Sequence, residues 1–214
     1  MTIRLPASAI ILAGGQSRRM GQPKAAIRFG NSTILEQLVA ELRSSFDEIL
    51  IIAAPARSEA FSIEHLLQAV SSSVRLIRDR KAYEGAAVAL AGGLTAAAND
   101  VSFACSCDLP LLRADVARAL YGMLNGYEAV IPVIGAKPQP LYAVYRRSAA
   151  ACIERHAASG EYRLTRITTA LAAYRPSDLQ LRHIDPALHS FLNVNTPEDY
   201  NRALAIKQSL EPKT

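Results

Sequence analysis

The chain has few of the residues that mark disulfide-rich, zinc-thiolate or nucleic-acid-binding proteins. It contains three cysteines and no tryptophan, and aromatic residues make up 6% of its 214 residues. The odd cysteine count and the close spacing of Cys105 and Cys107 argue against a disulfide framework and favour reduced thiols. The four histidines show no zinc-ligand spacing relative to these two cysteines, so we expect no thiolate metal site.

Long apolar runs and dense basic runs are also missing. No apolar run approaches roughly 18 residues, and no charged segment followed by an apolar one opens the chain. We therefore expect no membrane partner and a cytoplasmic location. Nucleic acid is not expected as a partner, because aromatic stacking platforms and basic stripes are absent. The net charge of +5 still favours acidic small molecules such as nucleotides.

What the chain does contain is a series of Ile- and Val-rich runs that alternate with amphipathic helical patterns. Continuous apolar runs predict strands that are buried on both faces of a sheet. The predicted strands are 9–12, 49–53, 74–77, 101–104, 129–133, 141–145 and 181–184. The predicted helices are 33–44, 58–70, 88–98, 113–124, 148–157 and 196–210, the last with Thr196 as its N-cap. This alternation predicts the α/β class, with a mostly parallel sheet between helices, in one domain of residues 1–214.

Glycines and cations follow the first predicted strand, where residues 12–24 read L-A-G-G-Q-S-R-R-M-G-Q-P-K. The glycines are Gly14, Gly15 and Gly21, and the cations are Arg18, Arg19 and Lys24. Glycines let backbone N–H groups approach phosphate oxygens, and the cations supply charge, so the segment predicts a triphosphate site. The glycine spacing matches neither a P-loop nor a dinucleotide fingerprint. The alternative is a glycine-rich turn with solvated arginines.

An acid follows the predicted strand 101–104, in the run C-S-C-D-L-P. Ligands gather at the carboxyl ends of parallel strands, so Asp108 should lie on the same edge as the phosphate loop. A carboxylate there suits Mg²⁺, which often takes one or two protein carboxylates together with substrate phosphates. The alternative role for Asp108 is that of a turn or N-cap aspartate.

Two further sites carry polar residues whose roles the pattern leaves open. Asp79 follows another predicted strand and would either face a ribose or base or pair with Arg78 or Arg80 at the surface. Asn193 and Asn195 are two residues apart in F-L-N-V-N-T-P-E-D, on one side of the chain if the segment is extended. They would either recognise a polar ligand or brace the loop before the last helix.

Four segments together resemble the molybdenum cofactor guanylyltransferases. In chain order they are L-A-G-G-Q-S-R-R-M-G-x-x-K, C-D-L-P, K-P-Q-P-L-Y-A-V-Y and F-L-N-V-N-T-P-E-D, and the resemblance extends from residue 10 to about residue 204. It implies a three-layer, Rossmann-like nucleotidyltransferase fold. The implied reaction transfers GMP from GTP to the phosphate of Mo-molybdopterin and releases pyrophosphate, with Mg²⁺ as cofactor. Other cofactor biosynthesis proteins and apo-molybdoenzymes are implied as further partners.

The resemblance also implies roles for individual residues. The residues that match the nucleotide-binding positions are Leu12, Ala13, Gly14, Gly15, Lys24, Asp79 and Asp108, among which Lys24 would bind phosphate and Asp108 would ligate Mg²⁺. The catalytic set is Arg19, Lys24 and Asp108, and the pterin-binding set is Asn193 and Asn195.

The sequence departs from the family pattern in three places. Pro23 stands where an acid is common, an asparagine is missing from the run 51–54, and a G-P-L-A-G turn is drawn out over 85–93.

One alternative function is a cytidylyltransferase that acts on molybdopterin or on another phosphorylated metabolite. The Gly14-Gly15 pair argues against it, because the cytidylyl relatives read L-A-A-G there. The other alternative is a nucleotide-binding module without catalysis.

Overall fold

The computed structural model describes residues 4–14, 23–55, 63, 74–78 and 85–210. The described helices are α1 (Ile34–Leu42), α2 (Ala86–Ala96), α3 (Ala114–Gly122), α4 (Ala149–Ala158), α5 (Leu164–Ile167), α6 (Asp178–Leu181) and α7 (Pro197–Leu210). The strands are β1 (Leu5–Leu12), β2 (Arg28–Phe29), β3 (Ser32–Thr33), β4 (Phe46–Ala53), β5 (Val74–Arg78), β6 (Val101–Ser106), β7 (Ala129–Val130), β8 (Val133–Ile134), β9 (Lys137–Pro138), β10 (Tyr142–Arg146) and β11 (Ala173–Tyr174). The predicted helix 58–70 lies outside the described residues apart from residue 63.

Seven strands form one sheet in the order β11-β7-β10-β6-β1-β4-β5. The pairs β1 with β4, β1 with β6 and β4 with β5 are parallel, whereas β10 runs antiparallel to both β6 and β7. The predicted α/β class with a mostly parallel sheet is therefore confirmed. None of the helices within the described ranges is both long enough and apolar enough to cross a membrane.

Helices cover both faces of the sheet. Successive strand residues point to opposite sides, so each central strand contributes to the core on each face. Ile11 and Ile51 belong to the apolar core that contains buried residues of α1, α3 and α7. Their neighbours Ile10 and Ile52 belong to the second core, which contains buried residues of α2, α4 and α5. The continuous apolar runs of the sequence thus supply two cores at once, and the fold has three layers.

Two predicted strands differ from the structure. The prediction of a strand at 181–184 is wrong, because Leu181 instead ends the short helix α6, which Ser177 and Gln180 cap. The predicted strand 129–133 stops after Val130, and the chain resumes as β8. Pro132 explains the interruption, since it lacks the N–H that a strand in the sheet would donate.

The carboxyl ends of the central strands bring distant segments together. Beyond β1, the Ala13 N–H donates to the carbonyl of Ile52 (2.8 Å), and the Cys107 N–H donates to the carbonyl of Leu12 (3.1 Å). The residues that follow β1 and β6 are therefore held side by side. This edge is where an α/β sheet places its ligands.

Candidate active site

Lys24 stands at this edge in a short turn. It begins a 3-10 helix, Lys24–Ala26, whose Ala25 is buried in the core next to the sheet. The preceding residue, Pro23, has a φ of −60°, close to the value that its ring imposes. Its carbonyl accepts a hydrogen bond from the Ala26 N–H at 3.0 Å. The proline that departs from the family pattern is therefore compatible with the turn that positions Lys24.

The ammonium group of Lys24 connects two segments that are distant in sequence. Its Nζ donates to Asp108 Oδ2 at 3.0 Å and to Asn195 Oδ1 at 2.6 Å. The side chains of Lys24 and Asp108 are each 17% exposed, so the ion pair is largely covered and yet open to a ligand. The Ser106 hydroxyl donates to the other carboxylate oxygen, Oδ1. Both oxygens of Asp108 thus have protein donors.

The segment before α7 is fastened to Asp108 through the backbone. The Val194 N–H donates to the carbonyl of Asp108 at 2.8 Å. Asp199 accepts from the Asn195 and Thr196 N–H groups, both at 3.0 Å, and its own N–H donates to Thr196 Oγ1, which confirms Thr196 as the N-cap. The bond from the Asn195 N–H lowers the pKa of Asp199, so this acid is charged at neutral pH. The cap of α7 thereby holds Asn195 against Lys24.

An open cleft of about 360 Å³ lies beside Asp108. It is lined by Ala86, Ser106, Asp108, Leu109, Gln139, Pro140, Leu141, Tyr162, Arg163, Leu164, Thr165 and Asn193. Apolar and polar side chains in equal number thus surround a concave surface that includes the carboxylate. Such a lining is typical of a site for a small molecule.

Two cysteines closely precede Asp108 in the sequence, but their thiols are unsuited to nucleophilic catalysis. Cys105 and Cys107 are buried and, like the half-buried Cys152, not paired with another cysteine in the structure. Burial and the nearby charge of Asp108 together raise the pKa of Cys107 to about 12. Burial also raises the pKa of Cys105. Both thiols therefore stay protonated at neutral pH, a form that is a poor nucleophile.

The oxygen atoms around Asp108 fit a hard divalent cation that is shared with a substrate. Within the described ranges, no three His, Cys, Asp or Glu side chains converge on one point. The donors present are the carboxylate of Asp108, the hydroxyl of Ser106 and the amide oxygen of Asn195. Mg²⁺ prefers oxygen ligands and commonly completes its coordination with phosphates and water.

The structure brings several of the predicted residues to one place. Lys24, Asp108 and Asn195 are in contact, and Asn193 lines the cleft beside them. Leu12, Ala13 and Gly14 occupy the end of β1 and the two positions after it, where Ala13 and Gly14 are half-buried. Gly15, Arg19 and Asp79 lie outside the described residues.

Sequence reasoning assigned a role to only two of the residues that line the cleft, Asp108 and Asn193. Ser106 lies two residues before Asp108 in C-S-C-D, so the alternation of a strand could have placed it on the same side. Gln139 lies in the K-P-Q-P-L-Y segment, which entered the resemblance without a role. Arg163 lies in no motif, and its place follows from the packing of α4 and α5 alone.

Comparisons with known proteins show the family and the fold of the chain. The sequence model of a protein family, the MobA-like NTP transferase domain, matches residues 9–175 of this chain. A molybdenum cofactor guanylyltransferase from Desulfosudis oleivorans is 30% identical over 200 residues, which are 92% of this chain and 94% of that protein. A molybdenum cofactor guanylyltransferase from Syntrophotalea carbinolica is 32% identical over 197 residues, which are 91% of this chain and 89% of that protein. Among solved structures, molybdopterin-guanine dinucleotide biosynthesis protein A from Archaeoglobus fulgidus has a TM-score of 0.80 at 23% identity, covering 95% of this chain and 100% of that one.

Proposed function

The chain belongs to the MobA-like NTP transferase family, and we propose that it transfers GMP from GTP to the phosphate of molybdenum-loaded molybdopterin. The products would be the molybdopterin guanine dinucleotide cofactor and pyrophosphate. The observation that carries the proposal is the contact of Lys24 with Asp108 and Asn195 at the carboxyl ends of the strands. The names of the curated relatives support molybdopterin as the acceptor.

The phosphates of GTP are assigned to the end of β1. Leu12, Ala13 and Gly14, continued by Gly15, would offer backbone N–H groups to the triphosphate. The ammonium of Lys24 would neutralise phosphate charge, including the charge that develops on the departing pyrophosphate. Arg19 is proposed to add a second cation to the reaction centre, and Asp79 to contact the nucleoside. These assignments extend the roles that the sequence predicted.

Asp108 is proposed as the protein ligand of Mg²⁺. When bound, Mg²⁺ would supply positive charge that offsets the charge of the triphosphate and helps to orient it. In the structure Lys24 Nζ donates a hydrogen bond to Oδ2 of this carboxylate. On GTP binding, Lys24 would exchange Asp108 for phosphate oxygens. The carboxylate would then be free to hold a cation.

The reaction needs alignment more than covalent catalysis. A phosphate oxygen of the acceptor would attack the α-phosphorus of GTP, and the bond from that phosphorus to the pyrophosphate oxygen would break. Asn193 and Asn195 are proposed to orient the acceptor. Because Asn195 also accepts a hydrogen bond from Lys24, one side chain would connect the acceptor side with the phosphate side. Holding the two substrates in line would lower the entropic part of the barrier.

The direct test is product identification with each nucleotide. The protein is incubated with Mg²⁺, molybdenum-loaded molybdopterin and either GTP, CTP, ATP or UTP. Pyrophosphate is measured, and the dinucleotide is identified by mass spectrometry. We expect GTP to yield the guanine dinucleotide and pyrophosphate in equal amounts. Turnover with CTP instead would show a cytidylyltransferase, and GTP binding without pyrophosphate release would show a binding module.

The same proposal covers the setting of the enzyme. We propose that residues 1–214 act as one domain in the cytoplasm. Other molybdenum cofactor biosynthesis proteins and apo-molybdoenzymes are proposed as the partners that deliver the acceptor or receive the product.

A further inference from the structure

Ser106 is the last residue of β6, and neighbouring strands hold its backbone from both sides. Its N–H donates to the carbonyl of Leu141 at 3.3 Å, just before β10. The N–H of the next residue, Cys107, donates to the carbonyl of Leu12 at 3.1 Å, at the end of β1. The direction of the Ser106 side chain is therefore set, and the position of its hydroxyl oxygen depends on one side-chain torsion.

The hydroxyl of Ser106 contacts the carboxylate of Asp108, two residues further along the chain. It donates to Oδ1, whereas Lys24 Nζ donates to Oδ2 at 3.0 Å. A carboxylate without a proton can only accept hydrogen bonds, so the hydroxyl is the donor in this pair. The two oxygens of Asp108 are thus held by different groups, one from the end of the same strand and one from a distant turn.

The backbone of Asp108 does not by itself set the plane of its carboxylate. The main chain is fixed, because the carbonyl of Asp108 accepts from the Val194 N–H at 2.8 Å. The last torsion of an aspartate side chain, however, joins a tetrahedral carbon to a planar group, and such torsions have broad distributions. A hydrogen bond to one oxygen restricts that torsion and decides where the other oxygen points. The bond from Ser106 to Oδ1 therefore directs Oδ2 towards Lys24.

A second serine of the same strand lacks this contact. Ser102, four residues earlier in β6, is buried, and its hydroxyl has no hydrogen-bond partner in the part of the chain that the structure describes. Ser106 is only half-buried, and the side chain of Asp108 is 17% exposed, so a ligand can still reach the carboxylate. The two serines thus separate the effect of losing a hydroxyl from β6 from the effect of losing the bond to Asp108.

We propose that Ser106 is a positioning residue, whose hydroxyl orients the carboxylate of Asp108 so that Oδ2 is presented to the divalent cation. This inference rests on the proposed function, because it takes Asp108 to be the protein ligand of that cation. Loss of a hydrogen-bond partner of a metal ligand typically costs roughly 10- to 100-fold in metal affinity or activity. Ser106 would act on the cation through Asp108, without binding the phosphates of GTP.

Metal binding without turnover is the first measurement. The Kd for Mn²⁺ is determined by electron paramagnetic resonance in the presence of the α,β-methylene analogue of GTP, which cannot release pyrophosphate. For Ser106→Ala we expect this Kd to rise about tenfold or more. Ser106→Thr keeps the hydroxyl and should stay near the parent, and Ser102→Ala should leave the Kd unchanged. The Kd for the nucleotide without metal should be the same in all four proteins, and circular dichroism checks folding.

The Mg²⁺ dependence of turnover is the second measurement. In Ser106→Ala, the Mg²⁺ concentration for half-maximal pyrophosphate release should rise by the same factor as the Kd for Mn²⁺. Saturating Mg²⁺ should restore most of the maximal rate, because the carboxylate of Asp108 is still present. A merely structural role of Ser106 would instead lower the rate at every Mg²⁺ concentration, and this result would overturn the proposal.

A double-mutant cycle shows whether Ser106 acts through Asp108. In the Asp108→Ala background, Ser106→Ala should not weaken Mn²⁺ binding further, because the group that it orients is gone. Weaker Mn²⁺ binding in Ser106→Ala would support the inference even if no dinucleotide were formed, in which case the proposed function fails by itself. Equal Mn²⁺ affinity in Ser106→Ala and the parent, no Mn²⁺ binding by the parent, or a further loss in the Asp108→Ala background would overturn the role of Ser106.

Discussion

At the scale of single residues, the ion pair of Lys24 and Asp108 is the central feature of the site. The two charges are largely covered and lie 3.0 Å apart, so each stabilises the other. Removing one of them would leave the other charge unpaired and would destabilise the fold. The hydroxyl of Ser106 and the amide of Asn195 complete the hydrogen bonds of the pair. These four side chains therefore form one connected set of hydrogen bonds.

Replacing Asp108 by asparagine tests the metal assignment. Asp108→Asn keeps the shape of the side chain but removes the charge, so we expect metal-dependent turnover to fall by roughly a hundredfold or more, on the order of 3 kcal/mol of transition-state stabilisation. Pyrophosphate release at several Mg²⁺ concentrations measures this. The control is Asp115→Asn, a change at an exposed acid that pairs with Arg113. Near-parental turnover in Asp108→Asn would remove Asp108 from the reaction.

Loss of the Lys24 ammonium should weaken nucleotide binding. For Lys24→Ala we expect the Kd for GTP, measured by calorimetry, to rise about tenfold or more, because a charge-assisted bond to phosphate is lost. Arg155→Ala removes one positive charge from an exposed position of α4 and should leave the Kd unchanged. An unaltered Kd in Lys24→Ala would place the phosphates elsewhere.

At the scale of elements, α2 approaches the sheet closely through a glycine. A Cβ on Gly93 would lie 2.9 Å from Ile10 Cγ2 and 3.2 Å from Ile52 Cγ1, whereas a Cβ on Gly92 would meet nothing within 4 Å. Both glycines lie in the same helix, one residue apart. The drawn-out segment 85–93 thus contains one glycine that packing requires and one that it does not.

Alanine substitutions at these two glycines should have opposite effects on stability. Gly93→Ala should lower the free energy of unfolding by about 1–2 kcal/mol, because the added methyl group overpacks the layer between α2 and the sheet. Gly92→Ala should raise it by up to about 1 kcal/mol, since alanine favours the helix and nothing obstructs its methyl group. Urea unfolding of both variants measures the difference. A stabilised Gly93→Ala variant would contradict the close packing of α2.

The last helix is tied to the segment that carries Lys24. The Tyr200 hydroxyl donates to the carbonyl of Arg28 at 2.9 Å, and Lys207 Nζ donates to the carbonyl of Phe29 at 3.2 Å. These bonds hold α7 against the β2–β3 hairpin, which follows the turn of Lys24. The cap of the same helix holds Asn195. Helix α7 therefore helps to position both Asn195 and the segment that carries Lys24, whose side chains are in contact.

At the scale of the whole molecule, the three layers determine which thiols solvent can reach. Cys105 and Cys107 are buried in the core that α1, α3 and α7 cover, whereas Cys152 is half-buried in α4 on the other face. Burial raises the pKa of Cys105 and Cys107, so both lack the reactive thiolate at neutral pH.

Thiol titration tests this layering. Ellman's reagent should react promptly with one thiol in the native protein and with all three cysteines after denaturation. In Cys152→Ser the prompt reaction should disappear, which assigns it to that residue. A rapid reaction of two or more thiols in the native protein would show that the core around β6 is open.

The sequence alone was sufficient for features that depend on local pattern. Continuous apolar runs predicted the buried strands β1, β4 and β6, because a strand covered on both faces leaves no polar alternation. Thr196 was predictable as an N-cap because capping depends on neighbouring residues. The strand at 181–184 was wrong because a short apolar pattern does not distinguish a strand from one helical turn, and here the cap formed by Ser177 and Gln180 favours the turn.

The tertiary structure decided which side chains meet. Lys24 and Asn195 are 171 residues apart, and their contact depends on the strand order and on the position of α7. The place of Arg163 in the cleft that Asp108 also lines likewise depends on how α4 and α5 pack against the sheet. Local patterns determine secondary structure because neighbouring residues interact whatever the fold. A site built from distant segments exists only once the sheet has brought the ends of its strands together.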